Sequence, residues 1–191
     1  LIEVDPSKEY ESFPLTEIQH AYLVSRGDSS SQATVGTTYC QIFAVDEIDL
    51  DRLDAAWGKV QKRHGMMRAS VEEDGTQSIA PSSKIGHIER AECANSSEAK
   101  QQLEEIKRTV FALAKPPLHR VVSISWHEES GKQTRLVFCF DYTVLDALSV
   151  MTVLAELAEL YENPGADLPG IGLTFRDFVV GHRRDGREVE E

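Results

Sequence analysis

The chain has 191 residues, 41% hydrophobic and 27% charged, an ordinary globular balance with enough length to bury a real core. Its 32 acidic residues against 20 basic ones give a formal net charge of −12, which disfavours a nucleic-acid or anionic-membrane partner, since both select basic patches. No apolar run is long enough to span a bilayer and no signal peptide opens the chain, so a cytoplasmic location is expected.

Residues 1–12 are polar and contain proline, an extended lead-in. Thr16 opens a helix, with Gln19 at capping-box spacing and Ile18, Ala21, Tyr22 and Ser25 as its inward stripe. Residues 27–36 read as a flexible loop and 37–46 as a strand, Tyr39, Gln41 and Phe43 alternating with Cys40, Ile42 and Ala44. Asp49 caps a second helix over 50–64 with Leu53, Ala56, Trp57 and Val60 at helical spacing. Glu73-Asp74-Gly75 joins two short strands, 66–72 and 76–80, and another strand lies near 86–92. The pattern Leu103, Ile106, Val110, Leu113, Ala114 predicts a helix over 96–114 ended by Pro116-Pro117. Strands at 118–127 and 133–141 follow, the second apolar throughout 136–140, as suits a central strand covered on both faces. A helix from Asp146 to Tyr161, a Pro/Gly loop over 163–172, a short helix over 174–182 and a frayed tail over 185–191 complete the chain. Mixed strands and helices with hairpins predict an α/β fold, a mixed β-sheet layered with helices. One domain over 13–184 is expected.

The three cysteines, Cys40, Cys93 and Cys139, are odd in number and widely spaced, which argues against a disulfide framework or a zinc site. Cys40 and Cys139 lie in apolar runs where a free thiol acts as a small hydrophobe, and a reducing compartment fits. No metal site and no glycine-rich nucleotide loop is evident. The chain opens on Leu1 rather than Met and reads as a piece of something longer.

Three segments carry candidate chemistry. Phe13-Pro14-Leu15-Thr16, with Gln19, Tyr22 and Arg26, reads from the residues alone as a helix start. Arg63-His64-Gly65-Met66-Met67-Arg68 ends a helix, where the dipole favours cations; His64 serves there as a cap or as a base, the cap being favoured. The segment Asp141-Tyr142-Thr143-Val144-Leu145-Asp146-Ala147-Leu148-Ser149 matters most. Asp146 stands at a helix N-terminus, a cap whatever else it does. Asp141 shares a strand face with Val137 and Cys139, and a carboxylate beside a core needs a partner or its pKa rises. Two such groups on one strand-to-helix turn are a candidate site.

Taken together and in order, the three segments resemble the condensation superfamily of peptide synthetases, and more narrowly its heterocyclization branch. That branch opens with a Phe-Pro-Leu-Thr, Gln, Ala-Tyr, Gly-Arg signature, matched here except that Ser25 replaces the glycine. The Arg63-to-Arg68 pattern, Asp-Gly-Thr-Gln at 74–77 and Thr-Phe-Arg-Asp-Phe at 174–178 are similar to the family as well. Ordinary condensation domains carry His-His-x-x-x-Asp at the strand-to-helix turn; the heterocyclization branch carries Asp-x-x-x-x-Asp, as at Asp141 and Asp146. Tyr142 then stands where an ordinary condensation domain has its active-site histidine.

The resemblance implies one chloramphenicol-acetyltransferase-like lobe, the first of two, with the active site in a tunnel between them. It implies joining of two carrier-bound thioesters, then cyclodehydration of a cysteine, serine or threonine to a thiazoline or oxazoline. Asp141 and Asp146 are the implied catalytic pair. Tyr142, Thr143, Ser149, Arg63, His64, Arg68, Gln19, Tyr22 and Arg26 are the implied supports of the tunnel or motifs. No cofactor is bound directly; phosphopantetheine belongs to partner carrier proteins. The other partners implied are the missing C-terminal lobe and an adjacent adenylation domain. A lone lobe is expected to be inactive and to leave apolar surface open where its twin would sit. The alternative is a degenerate condensation-like module that docks carrier or partner proteins without catalysis; an acyl-coenzyme A acetyltransferase ranks last, since Tyr142 replaces its histidine base.

Overall fold

The computed structural model describes residues 2, 4–27, 37–82 and 85–184. The expected tail at 185–191 lies outside the described residues, as does the expected loop at 27–36 beyond Gly27. In chain order the elements are β1 (Phe13–Pro14), α1 (Glu17–Gly27), β2 (Thr38–Val45), α2 (Leu50–Arg63), β3 (Ala69–Val71), β4 (Thr76–Ile79), β5 (Glu89–Glu92), α3 (Ser96–Lys107), β6 (His119–Glu128), β7 (Gly131–Asp141), α4 (Ala147–Glu162) and α5 (Phe175–Arg184). Single 3-10 turns lie at Pro6–Lys8, inside the stretch expected to be extended, and at Gly65–Arg68.

The main sheet has the order β2-β7-β6-β5, with β5 parallel to β6 and the other pairs antiparallel. This is the mixed, helix-layered sheet expected from the sequence. β1, β4 and β3 form a smaller antiparallel sheet. β7 is central and buried on both faces, as its apolar run predicts. Leu136, Phe138 and Phe140 face α2 and α4, while Val137 and Cys139 face the α3 side. Trp57 of α2 is 1% exposed and meets Phe138 edge-on at 5.8 Å and Phe140 at 6.3 Å. Burying a side chain of this class stabilises the fold by about 2–3 kcal/mol. Gly75 (φ 80°) and Gly131 (φ 115°) supply the left-handed backbone that the two hairpin turns require.

Four expectations are corrected. The inward stripe of α1 is Gln19, Tyr22, Leu23 and Arg26, not Ile18, Ala21, Tyr22 and Ser25; Ile18 is 59% exposed. Buried polar partners for Gln19 and Arg26 outweigh the apolar pattern. The helix expected over 96–114 stops at Lys107. The Thr109 hydroxyl donates to the Ile106 carbonyl at 2.6 Å, competing for a helix acceptor, and the Phe111 and Leu113 carbonyls are taken by Arg26 and the Val71 amide. The first hairpin strand begins at Ala69, because 65–68 form the 3-10 turn. Cys40 and Cys139 are not free thiols but a disulfide. The β2–β7 register sets them directly opposite, with Cα atoms 4.2 Å apart across a sequence separation of 99, so spacing along the chain could not reveal the pair. Cys93 remains free and buried. A bonded pair removes the compositional reason for a reducing compartment. Among the described residues no helix is long and apolar enough to cross a membrane.

His119, at the start of β6, lies edge-on to Trp57 at 5.1 Å, and its Nε2 is buried without a partner among the described residues. Burial pushes its pKa down from 6.5 to about 4, a hydrogen bond to the Met67 backbone opposing the shift. Folding therefore excludes a proton. The stability that the neutral ring supports is complete above pH 6.5 and is lost as pH falls through 4, by about 3 kcal/mol. Urea unfolding followed from pH 7 to pH 4 is expected to show that loss. In His119→Phe, which keeps a ring against Trp57, the slope flattens; an unchanged slope would assign the acid sensitivity to other groups.

Candidate functional site

The end of β7 and the start of α4 are joined by a turn at 142–146. Asp141 is 0% exposed and both its oxygens are engaged. Oδ2 pairs with the Arg26 guanidinium, which reaches in from the last turn of α1. Oδ1 accepts from the Thr37 hydroxyl at 2.9 Å and from the Thr143 amide at 2.9 Å. The Asp141 carbonyl also accepts the Val144 and Leu145 amides. One residue thus ends the central strand, closes the turn, anchors α1 and holds the start of β2. Arg26 extends the web to the Thr37 hydroxyl and, at 3.2 Å, to the Phe111 carbonyl. A cation and two hydrogen-bond donors thus satisfy both oxygens of this buried carboxylate.

Asp146 is placed differently. Its side chain caps α4, Oδ1 accepting the Ser149 amide at 2.7 Å, and the residue is exposed. The remaining carboxylate oxygen has no protein partner among the described residues. Between the two aspartates, Tyr142 stacks on Tyr39 of β2 at 5.5 Å with a 16° interplanar angle. Burial, with the nearby Tyr39 and Tyr22 hydroxyls adding to it, raises the Tyr142 pKa, so its phenol is a donor rather than a base at neutral pH. Thr143 is buried, and its carbonyl accepts from Gln19 Nε2 at 2.8 Å. Gln19 also exchanges hydrogen bonds with Gln77 and, as the capping box predicts, accepts the Thr16 amide at 3.0 Å.

The structure therefore brings together Gln19, Tyr22, Arg26, Asp141, Tyr142, Thr143, Asp146 and Ser149. It does not bring Arg63, His64 and Arg68 to that turn. His64 is the C-cap residue of α2, and both His64 and Arg63 reach Glu156 of α4, at 2.6 and 2.9 Å. Glu156 lies about 15 Å along α4 from Asp146 at ~1.5 Å per residue. Arg68, 2% exposed, donates to the Gln61, Lys62 and Ala80 carbonyls and so satisfies the end of α2. This segment clamps α2 to α4 and to the small sheet. Sequence reasoning missed Thr37 and Tyr39 as members of the site. Their partners lie about a hundred residues away, and only the strand pairing Thr38↔Asp141 joins them.

Residues 9–189 match the family model described as Condensation domain. The chain is 32% identical over 183 residues to phenyloxazoline synthase MbtB of Mycolicibacterium paratuberculosis, covering 91% of this chain and 15% of that protein. It is 30% identical over 179 residues to bacitracin synthase 1 of Bacillus licheniformis, covering 92% of this chain and 3% of that one. Among solved structures, the EpoB NRPS cyclization-docking bidomain from Sorangium cellulosum superposes with a TM-score of 0.86 at 28% identity, covering 98% of this chain and 38% of that one. The chain thus spans a small part of the curated relatives it matches.

Breaking a buried ion pair by removing one partner typically destabilises a protein by about 3–5 kcal/mol, whereas losing an exposed N-cap does so by about 1 kcal/mol. Urea unfolding of Asp141→Ala and Asp146→Ala is expected to separate the two by that margin. Equal effects would mean that the Arg26 pair does not hold the turn.

Proposed function

We propose, from the premise that this chain belongs to the condensation-domain family, that it is the N-terminal lobe of a peptide-synthetase heterocyclization domain. The observation that carries the reading is the turn itself, with aspartates at 141 and 146, a tyrosine at 142 and no histidine between. The name phenyloxazoline synthase borne by one relative and the likeness to a cyclization-docking bidomain support it.

In this reading two thioesters, each on the phosphopantetheine of a carrier protein, meet beside the turn. The acceptor amine attacks the donor thioester carbon and a thiol leaves. The acceptor's side-chain thiol or hydroxyl then attacks the new amide carbon, and the carbonyl oxygen departs as water. Holding both thioesters in place supplies the proximity, and the departing oxygen needs a proton donor. Asp141 has both oxygens committed to Arg26, Thr37 and Thr143, so its part is to hold the turn. Asp146 keeps a free oxygen at the surface and can meet substrate. Tyr142 offers a hydroxyl that stays protonated. The second lobe supplies the rest of the tunnel. Leu148 and Met151, one turn apart on α4 and 71% and 68% exposed, are the apolar surface such a lobe would cover.

A catalytically silent docking role is the second reading, favoured by the complete engagement of Asp141. It requires carrier affinity unchanged by Asp146→Ala and no turnover when a second lobe is supplied.

The test is mass spectrometry of carrier-bound product. With a second lobe and two loaded carriers, the product is expected to be lighter than the linear dipeptide by one water, and this chain alone is expected to yield neither amide nor ring. A linear dipeptide as the sole product of the two-lobed protein would leave condensation and remove cyclization. Ring formation by the chain alone would overturn the need for the second lobe.

A further inference from the structure

The face of the main sheet that carries Phe140, Phe138 and Leu136 changes character toward the other end of β7. Strand pairing sets Ser123 opposite Leu136 and Ser125 opposite Thr134, which extends the face with hydroxyls instead of hydrocarbon. All three residues are at least nine-tenths buried, at 3%, 9% and 5% exposed, yet none of their hydroxyls has a hydrogen-bond partner among the described residues. Each residue is covered while its hydroxyl oxygen stays open to solvent, so three unengaged polar atoms side by side are available to a ligand. They floor a cavity of about 420 Å3, within the size of small-molecule sites, roughly 300–1,000 Å3. Thr134 lies about 23 Å along β7 from Asp141 at ~3.3 Å per residue, so the cavity is separate from the site described above.

The walls indicate what would fill it. Ile48, Leu50 and Ala91 give an apolar lining. Asp46, Glu47 and Glu92 stand exposed at the cavity without ion-pair partners among the described residues. Of the two cations there, Arg90 is engaged by Asp51, which leaves Lys132 against three carboxylates. The local balance is therefore acidic, in a chain whose own net charge is −12. An anion is disfavoured by that field. Among the described residues no cluster of histidine, cysteine or acidic side chains could hold a metal ion. A primary ammonium group presents three N–H donors and no acceptor, matching a floor of three free hydroxyl oxygens.

We propose that this cavity binds an aliphatic primary amine, a diamine fitting best. One ammonium donates to Ser123, Ser125 and Thr134, the methylene stem lies against Ile48, Leu50 and Ala91, and the second ammonium rests among Asp46, Glu47 and Glu92. No covalent step is involved.

Calorimetric titration of the chain with pentane-diamine at low ionic strength tests this, alongside its fully N-methylated bis-quaternary analogue, which keeps the charge and lacks every N–H donor. The expected result is one-to-one binding of the diamine, weaker by about tenfold in Ser125→Ala and again in Thr134→Val, with the analogue binding at least tenfold more weakly. These variants remove hydroxyls that hold nothing, so their melting temperatures should match the parent. Amide chemical shifts of the unmodified chain provide a second readout that needs no variant, and changes should centre on Ser123, Ser125 and Thr134. No binding at millimolar diamine, equal binding of the quaternary analogue, or shifts centred elsewhere would each overturn the proposal.

Discussion

A carboxylate shut away from water must be compensated where it stands, and in this protein the compensation of Asp141 organises the surroundings of the turn at 142–146. Arg26 comes from α1, Thr37 from the lead into β2, and Thr143 from the turn itself. The guanidinium then reaches on to the Phe111 carbonyl in the segment after α3. Three parts of the chain are thus bound to one oxygen pair, and a fourth is joined to it through Arg26. Because the pair is buried, its geometry is held by hydrogen bonds as well as charge, and loss of any one partner leaves another stranded.

Around this hub the remaining polar network works in the same way. Gln19 ties α1 to the Thr143 carbonyl and to Gln77 of β4, so the small sheet is joined to the turn through one amide side chain. Arg68 answers the open carbonyls of α2, and Glu156 draws Arg63 and His64 onto α4. These contacts stand behind the turn rather than in it. They fix α2 and α4 against the face of Leu136, Phe138 and Phe140, and α4 in turn presents Asp146. The two aspartates of the turn are therefore placed differently: Asp141 has both oxygens engaged, and Asp146 keeps one at the surface.

Much of this was legible beforehand. The capping box at Thr16 and Gln19, the Asp49 and Asp146 caps, and the doubly covered run at 136–140 all follow from local chemistry, which depends on residues three or four apart. What misled was periodicity where polar side chains turn inward. On α1 the apolar stripe pointed to Ile18, but Gln19 and Arg26 have buried partners, and those set the helix's rotation. After α3, an apolar rhythm continued past Lys107, but the carbonyls of Thr109, Phe111 and Leu113 were claimed by Thr38, Arg26 and Val71.

The sequence by itself determined the order of the helices and of the strands from β2 onward, the caps, the central strand and the aspartate pair with its intervening tyrosine, because each is written in neighbouring residues. Only the tertiary structure decided that Arg26 and Thr37 complete Asp141, that Cys40 meets Cys139, and that Ser123, Ser125 and Thr134 share one unfilled cavity. Those meetings depend on strand register and helix rotation. Both are settled by the packing of the whole core, across separations that no local pattern records.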